Sequence, residues 1–329
     1  MAPIANSKAL YLCPTAKGLS LLAAQAHLRH KVRPKETARG EGISFVGRDA
    51  DGVSVYVGAY GRWRSVAMRA VTGLCGICSG AQPLVVCDVL AYLPASPLGN
   101  VLRIVVTMGL EGLIPFFRKL VKETVESAAR DTRSKIAHYT AGVTSEPREA
   151  IIFHCYGSAH TSVVQAALYL GLLSRDRPPL TEELNRIPHF DKVIKSDIGT
   201  PMFMGNDKRG RPVYVLGFGS GKGPLKRLLQ EIIALLGIPQ GNIRFFDSLS
   251  TAGFLTRLGG FLSRGIGLVW PGRPIVNYAI RRDWSRVCAL SERISERLEA
   301  QDGGESDKRR NNPACLCGKP RGEDRPSSG

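Results

Sequence analysis

Two stretches of this chain, FVGRDADGVSVYVGAYG and FMGNDKRGRPVYVLGFG, repeat one another, so that Gly47 falls on Gly205, Asp49 on Asp207, Gly52 on Gly210 and Tyr56 on Tyr214. Further pairs follow the same order. ALYLCPTAKGLSLLAAQAHL parallels IIFHCYGSAHTSVVQAALYL, which places Cys13 on Cys155 and Ser20 on Ser162. LVVCDVL lies on IRFFDSL, so Asp88 meets Asp247, and LGNVL matches LGGFL with Gly112 on Gly272. Ordered matches with slowly changing offsets mark a tandem duplication, and a duplicated chain must fold as two similar units.

Each copy has the same layout. An apolar strand leads through a small-residue turn into a helix, a hairpin turns at DADG or NDKRG, and a second helix precedes a strand ending in Asp. Alternation of strands and helices argues for an α/β sandwich unit with a mainly parallel sheet plus a β-hairpin. Strand order is not readable from this pattern. The first copy is expected over residues 1–129, a linker over 130–149 and the second copy over 150–299. Beyond Ala300 the composition turns polar and rich in Gly and Pro, which predicts a disordered tail over 300–329.

The copies differ after the first helix. The second carries an extra segment, SRDRPPLTEELNRIPHFDKVIKSDIGT, which reads equally as a cover over a site or as a surface excursion. They differ again at the turn itself. His154 and, in YGSAHTS, Gly157, His160 and Thr161 correspond to Leu12, Thr15, Gly18 and Leu19, so this polar constellation is confined to the second copy.

A strand that turns into a helix exposes unpaired backbone N–H groups and a partial positive charge, a ready anion site. Gly157 would let the backbone come close to a ligand, while Ser158, Thr161 and Ser162 supply hydroxyls. Matched to the pattern G-x-x-x-x-G-K-[ST], the segment from His154 to Thr161 has the right length. However, His154, Ala159 and His160 stand at the two Gly positions and the Lys position, so nucleotide hydrolysis of that kind is not implied. His160 and Asp247 are the candidate catalytic residues: His160 for acid–base work, and Asp247 for holding a phosphate-bound metal or, in the plainer reading, for capping the next helix. His154 reads as a ligand or as a core histidine. Gly219 and Lys222, in VLGFGSGKGPLKRLL, are candidates for a second anion nest. Zinc held by His154, Cys155 and His160 is a further possibility, whereas Cys75 and Cys78 sit within a predicted helix and Cys315 and Cys317 in the tail.

The second copy also resembles an uncharacterised family of Firmicutes, domain of unknown function 3189. The resemblance rests on HCYGSAHTSVVQAALYLG, IPHFDK, FMGNDKRGRPVYVLG, LGGFLSRGIGLVWPGRPIV and the strand end at Asp247, and it covers residues 150–298. It implies a bacterial, cytoplasmic α/β protein and carries over no activity.

The formal net charge of +17 favours anionic partners. The basic residues are spread over both halves without interleaved aromatics, which argues against a sequence-directed nucleic-acid interface. The expected partner is a phosphorylated small molecule or nucleotide, with transfer or hydrolysis of the phosphate as the reaction class; the sequence names no cofactor. The rival reading is a non-catalytic interaction protein that docks on a partner or an anionic membrane surface through GFLTRLGGFLSRGIGLVW. The start of the chain lacks a secretory pattern, so a cytoplasmic location with reduced cysteines is expected.

Overall fold

The computed structural model describes residues 8–13, 23, 24, 28, 42–50, 52–60, 63–78, 84–92, 119, 123, 149–251 and 269–310. The first unit contains β1 (Lys8–Cys13), β2 (Ser44–Arg48), β3 (Ser54–Ala59), α1 (Arg64–Ile77) and β4 (Leu84–Asp88). The second contains β5 (Ala150–Cys155), α2 (Thr161–Tyr169), α3 (Thr181–Arg186), β6 (Met202–Asn206), β7 (Pro212–Gly217), α4 (Lys222–Leu235), β8 (Ile243–Asp247), α5 (Val269–Arg282) and α6 (Trp284–Arg310). The expected linker and the amphipathic stretch before α5 lie outside the described residues, apart from Glu149 and the first two residues of α5. Helix α6 runs to Arg310, so the boundary expected at Ala300 falls inside a helix rather than at its end.

The two sheets have the same order, β2-β3-β1-β4 and β6-β7-β5-β8. In each, the leading strand is parallel to both neighbours and the hairpin strand is antiparallel at one edge. The central strand Ala150–Cys155 is buried at every position, as its run of apolar residues requires when helices cover both faces. The repeated Asp and Gly residues of the hairpins are turn residues. The Asp49 carboxylate accepts the Val53 N–H at 2.9 Å, the Asp207 carboxylate accepts those of Arg209 and Arg211 at 2.9 Å, and Gly52 and Gly210 take φ of +79° and +76°.

Helices α1 and α4 pack on each other and share one apolar core with both sheets. Leu10 and Leu12 of β1 and Val71 and Leu74 of α1 join Leu225, Leu229 and Ile232 of α4 and Ile152 and Leu216 of the second sheet. The other face of the second sheet, through Ile151, Phe153, Val213 and Val215, is covered by α2 and by Val276, Ile280, Trp284 and Val287 of α5 and α6. The extra segment packs there too: Leu184, Ile187 and Phe190 belong to this second core.

Because the first core is common property, it cannot be lost from one unit alone. Leu229→Ala, at a side chain 1% exposed, is expected to cost ~2–5 kcal/mol. Urea unfolding followed by circular dichroism should show both units melting in a single, earlier transition.

Candidate functional site

Helix α2 lies on one face of the second sheet and α4 on the other. The chain therefore leaves β5 and β7 towards opposite faces of the sheet, and open α/β sheets take their ligands in the crevice outside the carboxyl ends of their strands. Two turns line it. The turn after β5 is stitched to the turn after β7 by the Phe218 N–H on the Cys155 carbonyl at 3.1 Å and the Gly219 N–H on the Tyr156 carbonyl at 2.8 Å. The candidate site residues His154, Gly157, Ser158, His160, Thr161, Ser162, Gly219, Lys222 and Asp247 lie at this edge or one residue inside it.

The close contacts within the turn itself fall at residues other than Gly157. Ser158 is the residue with φ of +55°, and Gly217 is where space is tight: a β-carbon there would come within 2.9 Å of Ser158 Oγ and 3.0 Å of the Tyr156 carbonyl oxygen. Above Gly157 no atom lies within 4 Å of where a β-carbon would stand. The N–H of Ser158 is spent on Cys155 Sγ at 3.2 Å, and the same sulfur shares a 3.1 Å hydrogen bond with Ser162 Oγ. Among the described residues, the N–H groups of Gly157, Ala159, His160, Thr161 and Ser162 have no acceptor within the chain. Of the three hydroxyls, that of Ser162 is buried on Cys155 and that of Ser158 is buried with no partner, whereas Thr161 is half-buried at the start of α2.

His160 and Asp247, the two candidate catalytic residues, have separate partners. His160 Nε2 lies 3.2 Å from the Asp191 carboxylate, and its ring meets Phe190 edge-on at 5.7 Å. Asp191 comes from the extra segment, takes φ of +52°, and donates its N–H to the Ala159 carbonyl at 3.0 Å. Asp247 instead accepts from Lys222 Nζ and from the Leu249 N–H at 3.0 Å, and sits 3.8 Å from His154 Nδ1. The helix-capping reading of Asp247 therefore holds, and the ion pair with Lys222 is added to it.

The first unit keeps the same carboxylate with different partners. Arg64, at the helix position of Lys222, lies 2.7 Å from Asp88, and the Leu90 N–H caps it at 3.1 Å. The remaining neighbour differs, and in the second unit it makes no hydrogen bond: both His154 ring nitrogens are buried without a partner. Tyr60 OH bonds Asp88 at 2.9 Å beside the apolar Leu12, whereas the second unit has Phe218 in the place of Tyr60 and His154 in the place of Leu12.

The candidate site residues thus all come from the unit built from β5 onward. Residues 150–296 match the family model described as Protein of unknown function (DUF3189). The match takes in β5, both turns, the extra segment with Asp191, and most of the helices that cover the second core, while β1 to β4 lie outside it. No curated protein and no solved structure gives a significant match.

The zinc set proposed from sequence does not converge in the second unit. His154 and Cys155 are successive strand residues and point to opposite faces, His154 towards Phe218 and Asp247, Cys155 towards Ser158 and Ser162. Among the described residues, no three His, Cys, Asp or Glu side chains gather as a metal site would need. Cys75 and Cys78 lie at the end of α1, where burial pushes their thiols up to about 11 and about 12; Cys315 and Cys317 are outside the described residues. Sequence reasoning missed Asp191, although HFDK was among the quoted motifs, and gave Cys155 no role in the turn.

Burial drives the pKa of His154 down to about 4 from the ordinary 6.5, against the pull of the Asp247 carboxylate. Burial pushes the Asp247 carboxyl up, but the Lys222 ammonium and the Leu249 N–H outweigh it and hold the group below the ordinary range. At neutral pH the imidazole is uncharged and the carboxylate ionised. Above pH 6.5 His154 is neutral in both the folded and unfolded chains and contributes no pH dependence. Between about 6.5 and 4 the unfolded chain takes up a proton that the folded chain refuses, so stability falls on acidification, by ~3 kcal/mol in full. His154→Leu should lack this component. In urea titrations at pH 7, 5.5 and 4.5 its free energy should therefore fall less steeply than that of the wild type, and parallel curves would refute the assignment. Adding Phe218→Tyr should restore a donor to Asp247, with a favourable coupling of ~0.5–3 kcal/mol between the two substitutions.

Proposed function

We propose that the second unit binds a phosphorylated small molecule, such as a nucleotide, with the phosphoryl group seated on the turn between β5 and α2. The observation that carries this reading is the set of unspent N–H groups of Gly157 and of Ala159 to Ser162 at the amino end of a nine-residue helix, under open space at Gly157. Backbone donors and the helix dipole suit an anion and need no basic side chain in the turn. Lys222 stands across the crevice, half-buried and shared with Asp247, and the charge surplus of +17 favours the arrival of an anion.

His160 and Asp191 supply the acid–base pair for transfer or hydrolysis of that phosphate: the carboxylate orients the ring, and the ring faces the same turn. Asp247 is assigned a structural part, since its counterpart Asp88 has the same pairing and cap in a unit that lacks the polar turn.

The test uses the open space above Gly157. Its backbone is not left-handed and a β-carbon meets nothing there, so Gly157→Val should fold as the wild type does while filling the place of the anion. Inorganic phosphate and a nucleoside diphosphate at about tenfold over Kd should raise the wild-type melting temperature by roughly 3–5 °C and leave Gly157→Val unmoved. No shift in the wild type, or the same shift in both proteins, would sink the reading.

A further inference from the structure

We propose that the first unit completes the site of the second by fixing both of its walls, with Trp63 and Arg69 as the positioning residues. The inference rests on the phosphate reading above for its ligand, but its geometry stands apart from that reading.

Trp63 precedes α1, and its indole Nε1 donates to Ser220 Oγ at 2.9 Å. The ring lies on the next residue: a β-carbon on Gly221 would come within 2.7 Å of Trp63 Cδ2. Ser220 and Gly221 are the residues immediately before Lys222, so the indole sets the path of the turn that delivers the lysine to Asp247. Arg69 lies further along the same helix. Its Nε and Nη2 both donate to the Ile198 carbonyl, at 2.8 and 2.5 Å. Between them, Gly199 takes φ of +100° and passes so close to Val66 that a β-carbon would lie 2.4 Å from the Val66 carbonyl oxygen. Gly73 meets Pro201 as closely, with its missing β-carbon 2.3 Å from Pro201 Cδ.

Trp63, Val66, Arg69 and Gly73 recur at the spacing of one helical face. That face of α1 therefore grips two separate segments of the second unit, Ser220–Gly221 and Ile198–Pro201. The second is the return limb of the extra segment. Seven residues back along it stands Asp191, which carries the bonds to the Ala159 carbonyl and to His160. One helix of the first unit thus holds the lysine wall and the Asp191–His160 wall of the crevice at a fixed separation. Errors of about 1 Å in such placement cost on the order of a hundredfold in a positioned site. The arrangement gives the first unit, whose own turn has lost its polar residues, a part in the site without any contact to the ligand.

The full-length chain tests this by hydrogen–deuterium exchange read by mass spectrometry, alongside titration with inorganic phosphate. In Arg69→Ala, exchange over 157–162 and 189–200 should quicken about tenfold, and phosphate should bind roughly tenfold more weakly, while the melting temperature stays within ~3 °C of wild type. Arg69→Lys keeps a donor for the Ile198 carbonyl and should recover most of both. Trp63→Phe, which removes only the bond to Ser220, should quicken exchange over 218–222 and spare 189–200. Leu229→Ala is the stability control and should lower the melting temperature with phosphate affinity unchanged. Wild-type exchange over 157–162 and 189–200 in Arg69→Ala overturns the inference, as does weakened binding that Arg69→Lys fails to recover. If the wild type takes up no phosphate, the functional reading falls instead, and the exchange arm decides the positioning role alone.

Discussion

Burial of α1 and α4 between the two sheets is the constraint from which the rest follows. Each sheet has an inner face of apolar side chains that its own helix covers only in part, and the two helices close the gap by packing on each other. The glycines at that seam allow the approach: Gly73 lets α1 reach Pro201, and Gly221 lets the Trp63 ring lie on the turn ahead of α4. The duplication is therefore structural before it is functional. It supplies each unit with the layer that a single copy would leave facing water.

The chemistry is divided unevenly over this symmetric frame. Both units end their fourth strand in a carboxylate that caps the following turn and pairs with the first basic residue of the preceding helix. A feature present in both the polar and the apolar copy belongs to the frame. What distinguishes the second unit is the turn after β5 and the segment that brings Asp191 onto it. Cys155 links the two roles, since its sulfur occupies the Ser158 N–H and the Ser162 hydroxyl and so shapes the turn from beneath.

Much of the frame was legible from sequence because it is local. The buried run AIIFHC, the helix starting at Thr161 and the Asp/Gly hairpins each follow from neighbouring residues, and the order of matches exposed the duplication. What stayed hidden depends on contacts distant along the chain. Asp191 meets His160 across an insertion, through a left-handed backbone that an Asp adopts only when its surroundings hold it there. The turn is tight at Gly217, sixty residues beyond Gly157, because the neighbouring strand end presses on it. Trp63 and Arg69 belong to no chemical motif, and only their packing reveals a role. The polar sequence after Ala300 suggested a chain end without structure, yet α6 continues through it to Arg310.

The different neighbours of the strand-ending carboxylates bear on how freely the two halves could trade segments. A hybrid that joined Leu12 to Phe218 would leave its acid without the tyrosine hydroxyl and without the nearby imidazole, whereas one that set His154 beside Tyr60 would bring both to the same acid. Strand residue and turn residue are matched within each half, so swapping either alone would change the surroundings of the carboxylate it serves.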